Sequence, residues 1–176
     1  MKRAVFPGSF DPPTFGHLDI IERGSRIFDE LIVVVAENPA KNNLFSAEER
    51  CAMIRRLTEK IKNASVDICP ASLLLVDFLR QKNIDFIVRG LRDYDDWKEE
   101  SELASVNKIL SAGKKTAEAV PVYPGVETVF LSTRPELSVI SSSAVRTIAC
   151  FNGDLSFFIP AEVATAIHKK MKGNHE

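Results

Sequence analysis

The sequence predicts an α/β fold built on a doubly wound, parallel five-stranded sheet. Two observations lead there. Short runs rich in Val, Ile and Phe alternate with longer stretches of helical periodicity, the pattern of repeated βαβ units. The strand-like runs are apolar at nearly every position, as expected where helices cover both faces of a sheet.

Taken in order, strands are expected near Ala4–Phe6, Leu31–Ala36, Val66–Cys69, Phe86–Val88 and Thr128–Leu131. Helices are expected near Thr14–Phe28, Ala47–Lys62, Leu73–Lys82, Asp95–Ala112, Ser142–Phe151 and Ala161–Lys172. The first helix carries Leu18, Ile20, Ile21, Ile27 and Phe28 as its apolar positions. The second opens with Ser46-x-x-Glu49, a capping box. The last follows Pro160, which suits a first turn. The stretch Ser111–Val126, with Gly113, Lys114, Lys115, Pro121, Pro124 and Gly125, reads as a long, mobile loop.

At 176 residues, with 45% hydrophobic and 27% charged positions, the chain reads as one domain spanning residues 1–176. A net charge of −1 gives no reason to expect a nucleic-acid or membrane partner, so any anion binding must be local. No apolar run approaches the ~20 residues of a membrane helix, and the start Met1-Lys2-Arg3 runs straight into a strand without a signal peptide. Cys51, Cys69 and Cys150 are an odd number with no Cys-x-x-Cys pair, which suits a reducing cytoplasm. Cys69 and Cys150 sit among apolar neighbours and are expected in the core. With only His17, His168 and His175, no metal-ligand spacing is present.

In a doubly wound sheet, ligands bind beyond the carboxyl ends of the strands, and polar residues gather there. After the first strand comes "GSFDPPTFGH", Gly8 to His17; after the second, Glu37 to Lys41; after the fourth, Arg89-Gly90-Leu91-Arg92; after the fifth, Ser132-Thr133-Arg134 and then Ser141-Ser142-Ser143. A glycine and proline turn running into a helix start offers unpaired N–H groups and the positive end of the dipole to phosphate. Gly16 permits close approach to the backbone, and His17 sets an imidazole beside it. A lone histidine is more often structural; its place after Gly16, with Thr14 nearby, favours phosphate contact. Arg89 and Arg92 are either a solvated pair or a forked clamp on phosphate, and the apolar run before Arg89 favours the crevice. Ser141–Ser143 cap a helix, bind phosphate, or both. Lys41 is notable only for its position at a strand end. Neither Gly-x-Gly-x-x-Gly, nor a P-loop, nor a Gly-x-Ser-x-Gly elbow is present. Donors without an obvious nucleophile suit direct phosphoryl or nucleotidyl transfer between two bound substrates.

The string "PGSFDPPTFGH" resembles the signature of the nucleotidyltransferase superfamily with a [Thr/His]-x-Gly-His motif. "VRGLR", "VISSSAVR", "NPAKNNLFSAEER" and "GDLSFFIP" are similar to further motifs of its bacterial phosphopantetheine adenylyltransferases, over nearly the whole chain. The resemblance implies a Rossmann-like nucleotidyltransferase fold and transfer of AMP from ATP to 4′-phosphopantetheine, giving dephospho-coenzyme A and pyrophosphate. It also implies Mg²⁺, a cytoplasmic homohexamer, and coenzyme A as a feedback inhibitor. Carried over by position, His17 would stabilise the transition state at the α-phosphate. Ser9, Lys41, Leu75 and Arg89 would bind phosphopantetheine. Ser9, Phe10, His17, Gly90, Leu91, Arg92, Glu100, and Leu137, Ser138, Val139, Ile140, Ser141, Ser142 and Ser143 would bind ATP. Phe15 replaces the asparagine usual before Gly-His, and its side chain is expected to face the core. Ser9 stands where threonine is common, and the Ser111–Val126 loop is longer than usual. Two other readings stay open on the residues. One is another transferase of the superfamily, using CTP or a different acceptor; the other is a non-catalytic nucleotide sensor.

Overall fold

A computed structural model describes residues 1–38, 40, 42–112 and 125–172. Lys41, His175 and most of the Ser111–Val126 loop, residues 113–124, lie outside the described residues.

Five parallel strands form one sheet: β1 (Arg3–Gly8), β2 (Glu30–Ala36), β3 (Ala64–Cys69), β4 (Phe86–Leu91) and β5 (Glu127–Ser132). Their order is β3-β2-β1-β4-β5, so the chain winds outward from β1 to β3 and then crosses back to β4. Among the described residues six helices connect or follow them: α1 (Phe15–Ile27), α2 (Ala47–Leu57), α3 (Leu75–Lys82), α4 (Tyr94–Ser111), α5 (Ser142–Cys150) and α6 (Ala161–Lys172). A single 3₁₀ turn at Pro135–Leu137, unforeseen in the sequence, precedes α5.

The core follows the strand period of two. Ala4, Phe6, Leu31, Val33 and Val35 pack on one face with Ile20 and Ile21 of α1 and Cys51 and Ile54 of α2. Val5, Ile32, Val34 and Ile87 pack on the other with Phe78 and Leu79 of α3. A third cluster joins Phe45 to Val145 and Ala149 of α5 and Val163 and Ile167 of α6.

Several expected boundaries move. α2 stops at Leu57 rather than Lys62, because Thr58 turns its hydroxyl onto the Ile54 carbonyl (2.8 Å) and the chain tightens into turns closed by Ile61 N and Ala64 N. α3 begins at Leu75 rather than Leu73, after a turn in which Leu73 N donates to Pro70 O (3.0 Å). Cys69 is buried as expected, but Cys150 is exposed. The inward positions of α5 are Val145 and Ala149, and the helical step of ~100° turns the next residue outward.

The strands diverge where the site lies. β1 is paired with β2 along its whole length to Gly8↔Val35, and β4 with β5 to Leu91↔Ser132. Between β1 and β4 the register holds only Ala4↔Phe86 and Val5↔Ile87. Pro7, next in phase after Val5, has no N–H to give β4. The Arg89 side chain fills the gap by donating Nη1 to the Pro7 carbonyl (2.6 Å). Beyond that point the two strand ends part and leave a crevice at the topological switch point.

Candidate active site at the parting of two strands

The crevice is a cavity of about 270 Å³ bounded by the turn after β1, the start of α1, the end of β4 and the segment from Thr133 to Ser142. The turn is shaped by an aromatic ring folded back on the chain. Phe10 has φ 49°, a left-handed conformation, and its buried ring packs edge-on to Phe6 (5.4 Å between centroids) and His17 (4.9 Å). A Cβ on Gly8 would come within 2.8 Å of that ring, so residue 8 must lack a side chain. The turn is pinned from both sides. Asp11, 2% exposed, accepts from Leu44 N (2.7 Å) and Phe45 N (2.9 Å). The fully buried Arg50 donates to Ser9 O (2.6 Å).

His17 is set by a capping box in which it takes the role usually played by glutamate or glutamine. Its own N–H donates to Thr14 Oγ1 (3.4 Å), while Thr14 N donates to His17 Nδ1 (3.0 Å). Nδ1 is therefore an acceptor, and the neutral ring carries its proton on Nε2. Burial, with Arg92 and then Arg89 nearby, pushes the imidazole from its ordinary 6.5 down to about 4. At neutral pH it is an uncharged donor lining the cavity.

Backbone donors surround it. Phe15 N–H is taken by Phe158 O (3.0 Å) and His17 N–H by Thr14, which leaves Gly16 N–H without a partner among the described residues. At α5, Ser141 Oγ caps Ala144 N (3.1 Å), leaving Ser142 and Ser143 N–H in the same condition. A Cβ on Gly16 would meet only ordinary contacts, at 3.6 Å and 3.9 Å, so packing does not demand the glycine and its open side belongs to the cavity.

The arginines are less free than the sequence suggests. Arg89 grips Glu100 through Nε (2.6 Å) and Nη2, and Arg92 grips Asp96 through Nε and Nη2 (2.8 Å each). The Arg92 guanidinium holds the Asp96 carboxyl below its ordinary value. Each arginine so bound presents its remaining N–H groups in a fixed orientation. Because these two arginines and two acids line the cavity together, its described side chains add no net positive charge.

A second, larger hollow of about 620 Å³ adjoins the first and shares Pro7, Gly8, Ser9, Arg89 and Glu100 with it. It is mainly apolar, lined by Leu73, Leu74 and Leu75 at the start of α3 and by Leu103, Val106 and Leu110 of α4. Glu37 and Asn38, just before Lys41, also border it.

The structure thus brings together Ser9, Phe10, His17, Arg89, Gly90, Arg92, Glu100, Leu137, Ile140, Ser141 and Ser142 on the first cavity, and Leu75 on the second. Phe10 borders the cavity with 1% of its surface exposed. Leu91, Ser138, Val139 and Ser143 do not line it; Val139 is 76% exposed, and Ser138 Oγ bonds Pro135 O (2.8 Å). Ser142 Oγ is engaged by Pro12 O (2.8 Å), so the three serines have separate partners. Phe15 is half-buried and borders a pocket with Ile159 and Ala164. Thr133, in the polar cluster expected after the fifth strand, lines the cavity; Asp96 was missed at the sequence level, and its i,i+4 spacing from Arg92 is the signal that could have found it.

A cavity of this kind, with a neutral histidine donor and two helix N-termini at a parallel-sheet switch point, has the donor set that suits an anion. The model of the cytidylyltransferase-like family matches residues 5–148, and the chain is a nucleotidyltransferase of that family. Relatives named phosphopantetheine adenylyltransferase align over nearly its full length. That of Caldanaerobacter subterraneus subsp. tengcongensis is 44% identical over 98% of this chain and 99% of the relative. That of Clostridium botulinum is 42% identical over 100% and 98%. Within the nucleotidyltransferases, the chain belongs to the phosphopantetheine adenylyltransferase family. A solved structure from Vibrio parahaemolyticus, described as a candidate nicotinate-nucleotide adenylyltransferase, superposes with a TM-score of 0.60, over 95% of this chain and 99% of that one, at 17% identity; it shares the fold.

Proposed function

We propose that residues 1–176 act as one catalytic domain that transfers AMP from ATP to 4′-phosphopantetheine, releasing pyrophosphate and forming dephospho-coenzyme A. The observation that carries this reading is the pairing of a donor-lined cavity around His17 with an apolar groove, joined through Ser9, Arg89 and Glu100. A triphosphate suits the first hollow and a pantetheine arm the second, with Leu75 along the arm. Lys41, Arg89 and Ser9 serve the acceptor phosphate. Phe10, Gly90, Leu91, Arg92 and Glu100 serve ATP, and the Leu137–Ser143 segment lies along its phosphates. Coenzyme A, which shares the pantetheine arm, fits the same groove as a product-like inhibitor.

A phosphate oxygen of the acceptor attacks the α-phosphorus in line, and the bond to pyrophosphate breaks as the new bond forms. The acceptor phosphate is already ionised at pH 7, so no general base is required. His17 Nε2–H and the orphan N–H groups of α1 and α5 receive charge growing on the equatorial oxygens. Among the described residues no cluster of three or more His, Cys, Asp or Glu could hold a metal ion. The balanced charges of Arg89, Arg92, Asp96 and Glu100 leave the triphosphate in need of a counterion. Mg²⁺ entering with ATP would supply that counterion and offset charge on the leaving pyrophosphate.

Two attributes complete the reading. α4 buries none of its residues and presents Tyr94, Trp97 and Ile109 to solvent, a face that a second copy would cover in a homohexamer. A cytoplasmic location suits three free thiols, and no helix among the described residues is long and apolar enough to cross a membrane. The deciding experiment measures pyrophosphate release from ATP and Mg²⁺ with and without 4′-phosphopantetheine. Acceptor-dependent release with dephospho-coenzyme A as product is expected; ATP binding without release refutes the reading. Light scattering checks the hexamer, and a monomer at micromolar concentration refutes that part.

A further inference from the structure

Two residues beyond His17, α1 buries a carboxylate that the proposed chemistry does not use. Asp19 is 6% exposed and is approached by two arginines, one a turn further along its own helix and one on the chain that leaves β5. Arg23 Nη1 donates to Asp19 Oδ2 (2.9 Å) and also to the Ser132 carbonyl at the end of β5 (2.8 Å). Arg134 Nε stands 2.8 Å from Asp19 Oδ1, an ion pair whose N–H is not aimed along the contact. Both arginines thus tie α1 to the chain that leaves β5.

That chain forms a wall of the first cavity, through Thr133, Leu137 and Ile140. Its backbone is fixed at one end by Thr133 N to Leu91 O (2.7 Å) and at the other by the Ser141 cap. Between these ends its bonds are local: Leu137 N to Arg134 O and Ile140 N to Leu137 O. Among the described residues, the Arg134–Asp19 pair is the polar side-chain link from residues 134–140 to the rest of the fold.

We infer that Asp19 is a positioning residue for the nucleotide side of the site, holding the Thr133–Ile140 wall at a fixed distance from the helix that carries His17. The inference rests on the assignment of ATP to the first cavity. A buried carboxylate needs compensating partners, so its helix and the arginine-bearing segment are registered against each other. Loss of the link frees the wall on the ATP side and leaves the apolar groove, which Thr133, Leu137 and Ile140 do not line, unaltered.

The test is steady-state kinetics of dephospho-coenzyme A formation for the wild type, Arg134→Ala, Asp19→Asn and the double variant, with KM measured separately for each substrate. Arg134 is about half exposed, so its truncation does not threaten folding and remains decisive if Asp19→Asn is unstable. Arg134→Ala is expected to raise KM for ATP ~5-fold while KM for phosphopantetheine changes less than ~2-fold. Asp19→Asn should move ATP KM in the same direction, and the double variant should fall short of the product of the two single effects. An unchanged ATP KM in Arg134→Ala, an equal rise in both KM values, or full additivity overturns the inference. A wild-type protein that makes no dephospho-coenzyme A overturns the reading of the site instead.

Discussion

Acid should reveal His17 through the stability of the fold. In the folded chain its imidazole sits at about 4, against 6.5 in the ordinary state, because burial and the two arginines disfavour its charge. The unfolded chain therefore takes up the proton first as pH falls. Stability associated with the neutral ring is fully present above pH ~6.5 and is lost progressively as pH approaches the folded value. Working the two values through the linkage relation gives a loss of ~2.5 kcal/mol by pH 4.5. The comparison variant is His17→Gln. Glutamine at the same capping-box position can still accept from Thr14 N, but it has no proton to gain. The two proteins should be of similar stability at pH 7.5. At pH 4.5 the variant should be the more stable by the full amount, a shift of ~1 M in urea midpoint for a chain of this size. Urea titrations of both proteins at four or five pH values make the measurement, and acidic groups common to both cancel in the difference. A gap that does not change with pH means that His17 titrates as it would in water, and the account of its tautomer and role goes with it.

Other outcomes follow from the same geometry. His17→Ala should lower kcat by ~10²–10³-fold, as for loss of one transition-state donor, with near-native turnover contradicting the assignment. Gly16→Ala should leave the melting temperature within a few degrees, since the new Cβ meets only ordinary contacts, yet weaken ATP binding by filling the open side of the cavity; calorimetric titration with ATP reads the difference, and native affinity argues against the phosphate site. Asp11→Ala should cost ~3 kcal/mol in chemical unfolding, because it strands the Leu44 and Phe45 N–H groups in a buried position; a loss below ~1 kcal/mol means that water replaces the carboxylate.

Much of this was readable in the residues. β1 to β5 and six helices follow from apolar periodicity and caps, and Ser46-x-x-Glu49 forms the box that its spacing predicts. The turn after β1 is legible because Gly8 answers a steric demand and Thr14-x-x-His17 a hydrogen-bonding one, while Gly16 leaves the cavity open. What escapes is set by distant partners. The grip of Arg89 on Glu100 joins a strand to a helix eleven residues on, and only the packing of α4 on β4 forms it. Asp19 and Arg134 are separated by most of the chain. The 3₁₀ turn at Pro135 and the early end of α2 depend on one or two local bonds that propensity does not weigh. Cys150 was misread because apolar neighbours in sequence are not neighbours on a helix face.

The short register between β1 and β4 has a mechanical meaning. Two residue pairs join the halves of a sheet whose other strand pairs are each joined by six. That junction is the shortest strand pairing of the sheet, and on the proposed function the nucleotide would lie across its open end. On the proposed function a nucleotide bound there would act as a staple, its phosphates reached from α1 and α5 on the β1 side and from β4 on the other. Saturation at ~100 times Kd would then add ~2.7 kcal/mol to the folded state. The gain should be concentrated in slower amide exchange at the β1 and β4 ends rather than spread over the fold. If the opening is catalytic, the site and the shortest strand pairing are one feature, and substrate supply would also govern how firmly the two sides of the sheet stay together.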